Sequence, residues 1–228
     1  MAWLRKPIRG ILMDITGVLY ESGERKAIEG STEAVKMLRA ANIPFRFITN
    51  ETQKTREQLD SLLHRLGFDI YEKEIFMCVP AAKKFIHDLN YRPFLLVHPI
   101  TCSLFCRKYY REHGELVMDV GPFAAALEFA AERQAIVIGK PGEEFFRLAL
   151  EDMKLRADEV VMVGDDIVSD VGGAQSVGMR GVLVRTGKYR SSDESHPSVK
   201  PDGIVRNLKE AVERIVTMER PYKPVVPQ

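Results

Sequence analysis

The chain has 228 residues and 45% hydrophobic content, enough to bury a sizeable core and ordinary for a soluble globular protein. Its 33 basic and 32 acidic residues leave a net charge of +1, which argues against a general nucleic-acid binder or a membrane-surface protein, although a local cationic site stays open. Three cysteines, Cys78, Cys102 and Cys106, make no disulfide framework and fit a reducing compartment.

The first residues lack the apolar core and small-residue cleavage site of a signal peptide, and no run reaches the length of a bilayer span. The expectation is a cytoplasmic protein, with the nucleus open to it and no membrane or nucleic-acid partner. Residues 8–13 form a short apolar run ending at Asp14 and predict a buried strand. A helix is predicted over 32–41, with Ser31 as N-cap and Ala34, Val35, Leu38 and Ala41 on one face. Residues 44–48 predict a second strand. Thr55 and Gln58 have capping-box spacing ahead of a stripe of Leu59, Leu62, Leu63 and Leu66, which Gly67 stops.

The middle is less regular. A helix is predicted over 81–89, a strand over 94–97, a helix over 123–131 and a strand over 135–138, while 104–113 is basic and aromatic without a clean period. Regular alternation then returns, with helix 143–153, strand 160–163, helix 171–177 and strand 181–184. Residues 188–202 read as a loop. Asn207 and Glu210 repeat the capping-box spacing before Leu208, Ala211, Val212, Ile215 and Val216, and the Pro-rich tail from 221 is expected to fray. Strands and helices alternating at both ends predict an α/β fold: a Rossmann-like, three-layer parallel sheet from residues 1–77 and 139–228, with an inserted, reduced α/β cap over 78–138.

Four segments carry the chemistry: Asp14-Ile15-Thr16-Gly17-Val18, Thr49-Asn50, Gly139-Lys140-Pro141 and Gly164-Asp165-Asp166-Ile167-Val168-Ser169-Asp170. Each falls at a predicted strand end or on the loop or helix that follows, and in open parallel sheets that is where ligands bind. Asp14, Asp165 and Asp170 against Lys140 leave an empty site at −2, which would repel a phosphate dianion; one Mg²⁺ brings it to neutrality and bridges carboxylates to phosphate oxygens. Gly17 lets the backbone turn sharply and bring amides to an anion. Asp14 is placed to attack phosphorus, Thr49 and Asn50 to donate hydrogen bonds to the transferring group, and Lys140 to offset charge in the transition state.

Taken singly, these segments have plainer readings. Asp14 with Gly17, or Thr49 with Asn50, could be an ordinary turn, Asp165 and Asp166 could cap a helix, and Lys140 could be a solvated lysine. His98, Cys102 and Cys106 align on a helix at i, i+4 and i+8 but lack a fourth zinc ligand, so buried apolar thiols are the default. Arg107-Lys108-Tyr109-Tyr110-Arg111 could be a basic-aromatic nucleic-acid patch, but net charge favours a solvated or cap surface. Phe145 and Phe146 read as core or domain-contact residues.

The four segments, in this chain order, resemble the nucleophile, Thr/Ser, Lys and acidic motifs of the haloacid dehalogenase superfamily of phosphohydrolases. Longer strings narrow the likeness to a branch that hydrolyses inorganic pyrophosphate and P–N bonds. These are Asp14 to Gly23, Thr49 to Lys54, Gly164 to Gln175, Arg185-Thr186-Gly187-Lys188 and Ser192 to Pro197. The resemblance spans roughly 8–98 and 108–216. It implies a Mg²⁺ enzyme that forms an aspartyl-phosphate on Asp14 with help from Lys140. The metal would be held by Asp14, the Thr16 carbonyl and Asp165, with Asp170 either a ligand or a group behind the ligands. Substrate would be met by Asp14, Ile15, Thr16, Thr49, Asn50 and Lys140. It also implies small phosphorylated substrates, phosphohistidine or phospholysine proteins, and a homodimer.

Two departures stand out. Many superfamily phosphatases carry a second Asp where Thr16 stands; a hydroxyl is a poor general acid, which favours leaving groups that need little protonation. The segment between Val97 and Arg107 is short by about a strand-helix-strand unit relative to the family's cap, and caps exclude water and choose substrate. Two other readings therefore stay open: a phosphatase for small phosphate esters, and a catalytically weak binding or regulatory form.

Overall fold

The computed structural model describes residues 2–21, 26–51, 54–90, 109–112, 115–118 and 120–219. The predicted strand at 94–97, the His98, Cys102 and Cys106 set, Arg107, Lys108 and the tail from 221 lie outside the described residues.

A six-stranded parallel sheet forms from β1 (Gly10–Met13), β4 (Phe45–Thr49), β5 (Ile75–Met77), β8 (Val160–Gly164), β9 (Arg180–Val184) and β10 (Gly203–Val205), in the spatial order β10-β9-β8-β1-β4-β5. β1 pairs with β8 from Gly10↔Val160 to Met13↔Val163, and with β4 from Ile11↔Phe45 to Met13↔Phe47. The order therefore reverses direction at β1, and the carboxyl end of β1 is the switch point at which such sheets open a crevice.

β1 and β8 are buried at every residue, which is why both read as continuous apolar runs. The pleat sends alternate side chains to opposite faces. Ile11, Met13, Phe45, Phe47, Val161 and Val163 pack on one side, with α1 (Ser31–Ala40), α2 (Arg56–Arg65) and α7 (Leu208–Glu219). Leu12, Ile48, Val160 and Met162 pack on the other, with Phe145, Phe146 and Ala149 of α5 (Glu143–Met153) and Ala174 of α6 (Gly173–Ser176). Each large apolar side chain so buried contributes roughly 1.5–3 kcal/mol, so the two faces hold the strand ends firmly in place. Cys78 and Ala81 at the start of α3 (Cys78–Asp88) join the second face. Two small antiparallel pairs complete the described strands, β2 (Tyr20–Glu21) with β3 (Lys26–Ala27), and β6 (Tyr109–Glu112) with β7 (Glu115–Met118); α4 (Val120–Ala131) follows the second.

Several expectations need correcting. Ser31 does not cap α1. Gly30, at φ 79°, takes that place, while the buried Ser31 hydroxyl faces Leu19 O at 2.9 Å and Ile28 O at 2.6 Å. Residues 135–138 form no strand: Ile136 and Val137 are 61% and 42% exposed, and the sheet edge belongs to β5 instead. β5 and β10 escaped notice because three residues carry no readable period. The helix expected over 171–177 begins earlier, as a π-helical turn over Ile167–Gly172, and ends in the four-residue α6. A short 3₁₀ turn, Ser191–Ser195, lies inside the 188–202 loop.

The Thr55 capping box on α2 is present in both directions, with Gln58 N–H to Thr55 Oγ1 at 3.2 Å and Thr55 N–H to Gln58 Oε1 at 2.9 Å. Asn207 caps α7 through Glu210 N–H at 3.1 Å, but the Glu210 carboxylate reaches Arg206 N–H at 2.7 Å, one residue further back than a capping box requires. Among the described residues no helix is long and apolar enough to cross a membrane.

Candidate active site

The site is built where β1, β4 and β8 end. Asp14 leaves β1 with its N–H donating to Val163 O at 3.0 Å, so the β1–β8 ladder itself fixes the first carboxylate. Thr49 is the last residue of β4, and Asp165 follows β8 directly. Asp170 sits one turn later, its Oδ2 accepting the Asp166 N–H at 3.1 Å. The structure brings Asp14, Asp165 and Asp170 together: one carboxylate oxygen from each lies within 4.8 Å of the others, and all three residues are buried.

Lys140 completes the cluster from the far side of the chain. Its Nζ lies 2.5 Å from Asp14 Oδ1 and 2.7 Å from Asp170 Oδ1. Lys140 is itself only 8% exposed, which disposes of the solvated-lysine reading. Asp166, by contrast, does cap: its Oδ1 accepts the N–H groups of Val168 at 3.1 Å and Ser169 at 2.8 Å. The two adjacent acids thus separate into one that closes a helix end and one that faces the cluster.

The remaining predicted residues take mixed positions. Ile15 has its side chain in the core, leaving only its backbone for a ligand. Thr16 is half-buried on the turn after Asp14, its Oγ1 3.4 Å from Tyr20 Oη. Thr49 Oγ1 accepts Glu51 N–H at 3.0 Å, so its own hydroxyl hydrogen is left to donate. Asn50 turns its amide onto the backbone of Lys140, at 2.7 and 2.8 Å.

One component escaped residue-by-residue reading of the sequence. The loop after β9 closes on the site: Thr186 Oγ1 donates to Gly17 O at 2.5 Å, and Lys188 N–H donates to Asp165 Oδ2 at 2.7 Å. Gly17 (φ 93°) and Gly187 (φ 60°) flank the same carboxylate, and a Cβ on either would come 2.1 Å from Asp165 Oδ2. Both glycines are thus required by backbone angle and by space. The only signal was the Arg185-Thr186-Gly187-Lys188 string, which had no assigned task.

Burial raises all three acids. It pushes the Asp170 carboxyl up to about 6; Lys140 pulls the other way and the Asp14 charge adds to the rise. The Asp14 carboxyl is raised by burial, with Lys140 opposing and Asp165 adding, and the Asp165 carboxyl is raised by burial against its Lys188 N–H bond. For the Lys140 ammonium burial works downward, but the Asp14 and Asp170 charges outweigh it and hold its pKa above the ordinary value. The cluster therefore has excess negative charge that its own groups do not neutralise.

That excess fits a divalent cation. Asp165 Oδ1 is buried without a hydrogen-bond partner among the described residues, and a buried carboxylate oxygen left so is costly unless a cation meets it. Clustered carboxylates are hard oxygen donors of the kind Mg²⁺ and similar ions take.

Known proteins resemble this chain in family and in fold. A family model described as haloacid dehalogenase-like hydrolase matches residues 11–114, and a second HAD-hydrolase-like model matches residues 137–211. Phospholysine phosphohistidine inorganic pyrophosphate phosphatase from Bos taurus is 43% identical over 255 aligned positions, covering 92% of this chain and 94% of that protein. The Homo sapiens protein of the same name is 42% identical over the same shares. Because 255 positions exceed the 228 residues of the chain, at least 27 positions have no counterpart here. Among solved structures, a p-nitrophenyl phosphatase from Archaeoglobus fulgidus matches with a TM-score of 0.74 at 23% identity, over 92% of this chain and all of that one. NagD from E. coli K-12 matches at 0.71 and 19%, over 90% and 98%. These two show the shared fold. With the family models at both ends of the chain and curated relatives above 40% identity along nearly all of it, the chain belongs to the haloacid dehalogenase-like hydrolases, as an enzyme of the phosphatase type.

Proposed function

We propose that the chain is a Mg²⁺-dependent phosphatase acting on inorganic pyrophosphate and on P–N bonds, those of phosphohistidine, phospholysine and imidodiphosphate, through an aspartyl-phosphate on Asp14. The observation that carries this reading is the buried convergence of Asp14, Asp165 and Asp170 on one ammonium, with Asp14 Oδ1 2.5 Å from Lys140 Nζ. The names of the Bos taurus and Homo sapiens relatives supply the substrate class.

Asp14, Asp165 and Asp170, with the Thr16 carbonyl, would hold the ion. When bound, Mg²⁺ neutralises phosphoryl oxygens and helps to orient them. A carboxylate oxygen of Asp14 attacks phosphorus, the bond from phosphorus to the leaving oxygen or nitrogen breaks with its electron pair, and an acyl phosphate remains on Asp14. Lys140 balances charge on the transferring group. Water then attacks the same phosphorus, the P–O bond to Asp14 breaks, and orthophosphate leaves as the carboxylate is restored with release of a proton. Thr16 offers no proton of useful pKa to the leaving group, which suits phosphate or a nitrogen base better than an alkoxide.

A second reading, a catalytically weak binding form, is favoured by the aligned positions that lack a counterpart in this chain. One experiment separates the two. Phosphate release from pyrophosphate, imidodiphosphate and phosphohistidine is measured with and without Mg²⁺. Mg²⁺-dependent release by wild type, falling to background in Asp14→Asn, supports hydrolysis through Asp14. Release that survives Asp14→Asn rejects the aspartyl-phosphate, and no release by wild type leaves only binding.

A further inference from the structure

Asn50 grips one residue from both sides. Its Nδ2–H donates to Lys140 O at 2.7 Å, and Lys140 N–H donates to Asn50 Oδ1 at 2.8 Å. Turning the amide by 180° would set donor against donor and acceptor against acceptor, so the network fixes its orientation. The pairing is that of an antiparallel bridge, with a side-chain amide in place of one strand. It joins the end of β4 to a residue 90 positions later in the chain.

No strand hydrogen bonds hold the Lys140 backbone among the described residues. Residues 134–138 have no ladder partner among the described residues; Gly142 N–H donates to Gly139 O at 2.6 Å in a turn, Pro141 packs its backbone against Gly173, and α5 begins at Glu143. Gly139 stands at φ 155°, and a Cβ there would lie 3.1 Å from Asn50 Oδ1, so the loop runs close against the amide. A lysine side chain has four flexible carbons, so a held Cα narrows the positions from which its ammonium meets Asp14 and Asp170 together.

On the reading proposed for Asp14, we infer that Asn50 is a positioning residue for Lys140. It fixes the backbone from which the ammonium meets Asp14, and this, rather than contact with the phosphoryl group, is its contribution to turnover. A direct phosphoryl contact through the second Nδ2 hydrogen would instead act whether or not Lys140 is present.

A double-mutant cycle with a chemical readout tests this. Asn50→Ala is expected to lower kcat on pyrophosphate by about 10- to 100-fold, the scale of a misplaced catalytic group. On a Lys140→Met background the same change should alter kcat by less than about twofold, because the interaction it supports is already gone. In metal-free protein, acylation of Lys140 by an activated ester, followed by peptide mass spectrometry, should quicken about tenfold in Asn50→Ala as the local structure opens, with Lys54 and Lys188 unchanged. Asn50→Asp keeps the acceptor for Lys140 N–H and loses the donor to Lys140 O; it replaces Asn50→Ala should that variant fail to melt cooperatively. The full kcat loss carried onto the Lys140→Met background, or unchanged Lys140 labelling, overturns the proposal. If wild type releases no phosphate, the function proposed for the site falls, and the labelling alone decides the role of Asn50.

Discussion

Acidification should stabilise the metal-free protein, against the usual trend. Asp170 is fully buried, and its carboxyl is pushed up from about 3.8 to about 6. A carboxyl raised in the folded state is a net cost at neutral pH, and the cost is relieved as pH falls through the folded pKa toward the unfolded one. Between pH 7.5 and 5 a shift of that size contributes about 1 kcal/mol of added stability. For a domain of this length that is a rise in Tm of about 2–4 °C. Asp14 and Asp165 are raised as well and act in the same direction. The raised Lys140 ammonium has the same pH sign, since its contribution is lost as pH rises, but it acts only at alkaline pH, outside this window. Surface carboxyls held below their ordinary values, such as Glu159, Glu194 and Glu210, lose their contribution only below about pH 4.5. The assay is differential scanning calorimetry in EDTA at pH 7.5, 6.5, 5.5 and 5, repeated in Mg²⁺. Mg²⁺ at a hundred times its Kd should add about 2.7 kcal/mol at pH 7.5 and remove the acid-side rise, because the bound ion favours the charged acids. Asp170→Asn, which cannot titrate, should flatten the metal-free slope. A metal-free Tm that stays level or falls from pH 7.5 to 5 would refute the argument.

Gly187→Ala should be destabilised by at least about 1 kcal/mol, because an alanine at φ 60° is strained and its Cβ would meet Asp165 Oδ2 at 2.1 Å. Its Mg²⁺ affinity, followed by calorimetry, should weaken, whereas Gly67→Ala (φ 89°, with Thr32 Cγ2 3.9 Å from the added Cβ) should leave Mg²⁺ binding unchanged. Thr16→Asp should raise turnover of alkyl phosphates relative to pyrophosphate by about tenfold or more, since it places a carboxyl where a leaving alkoxide needs a proton. An unchanged ratio of the two rates removes Thr16 from the account of leaving-group preference.

The layout of the sheet was legible because β1 and β8 are buried on both faces and read as unbroken apolar runs. Asp14 and Asp165 could be placed from sequence because each directly follows such a strand, and Thr49 because it closes β4. Lys140 was placed in the site for the wrong structural reason. No strand delivers it; its backbone is bridged by the side-chain amide of Asn50, just after β4, and an interaction between residues 90 positions apart leaves no local pattern. The third wall, Thr186 to Lys188, was illegible for a related reason. It holds Asp165 through a backbone N–H and through the absence of two Cβ atoms, and neither has a side-chain signature in a single sequence. Ser31 misled because a serine before an apolar stripe usually caps, whereas this one is buried and faces Leu19 and Ile28 instead.

Stability and chemistry pull against each other at this cluster. Three raised carboxyls around one ammonium cost folding energy in the absence of a cation, and the two packed faces of the sheet carry that cost. The ladder between β1 and β8 leaves Asp14 no room to retreat, since its own N–H is tied to Val163 O. Asp165 is held equally closely between Gly17, Gly187 and the Lys188 N–H. On the function proposed for this site, a cation and a phosphoryl group would find these charges already assembled, with little reorganisation left for the reaction. Substitutions that relieve the repulsion should therefore raise metal-free stability while lowering turnover, the trade-off expected where a site is kept strained for function. Asp170 is the place where that opposition is sharpest, because it lies deepest, pairs with Lys140 and carries a raised pKa of about 6.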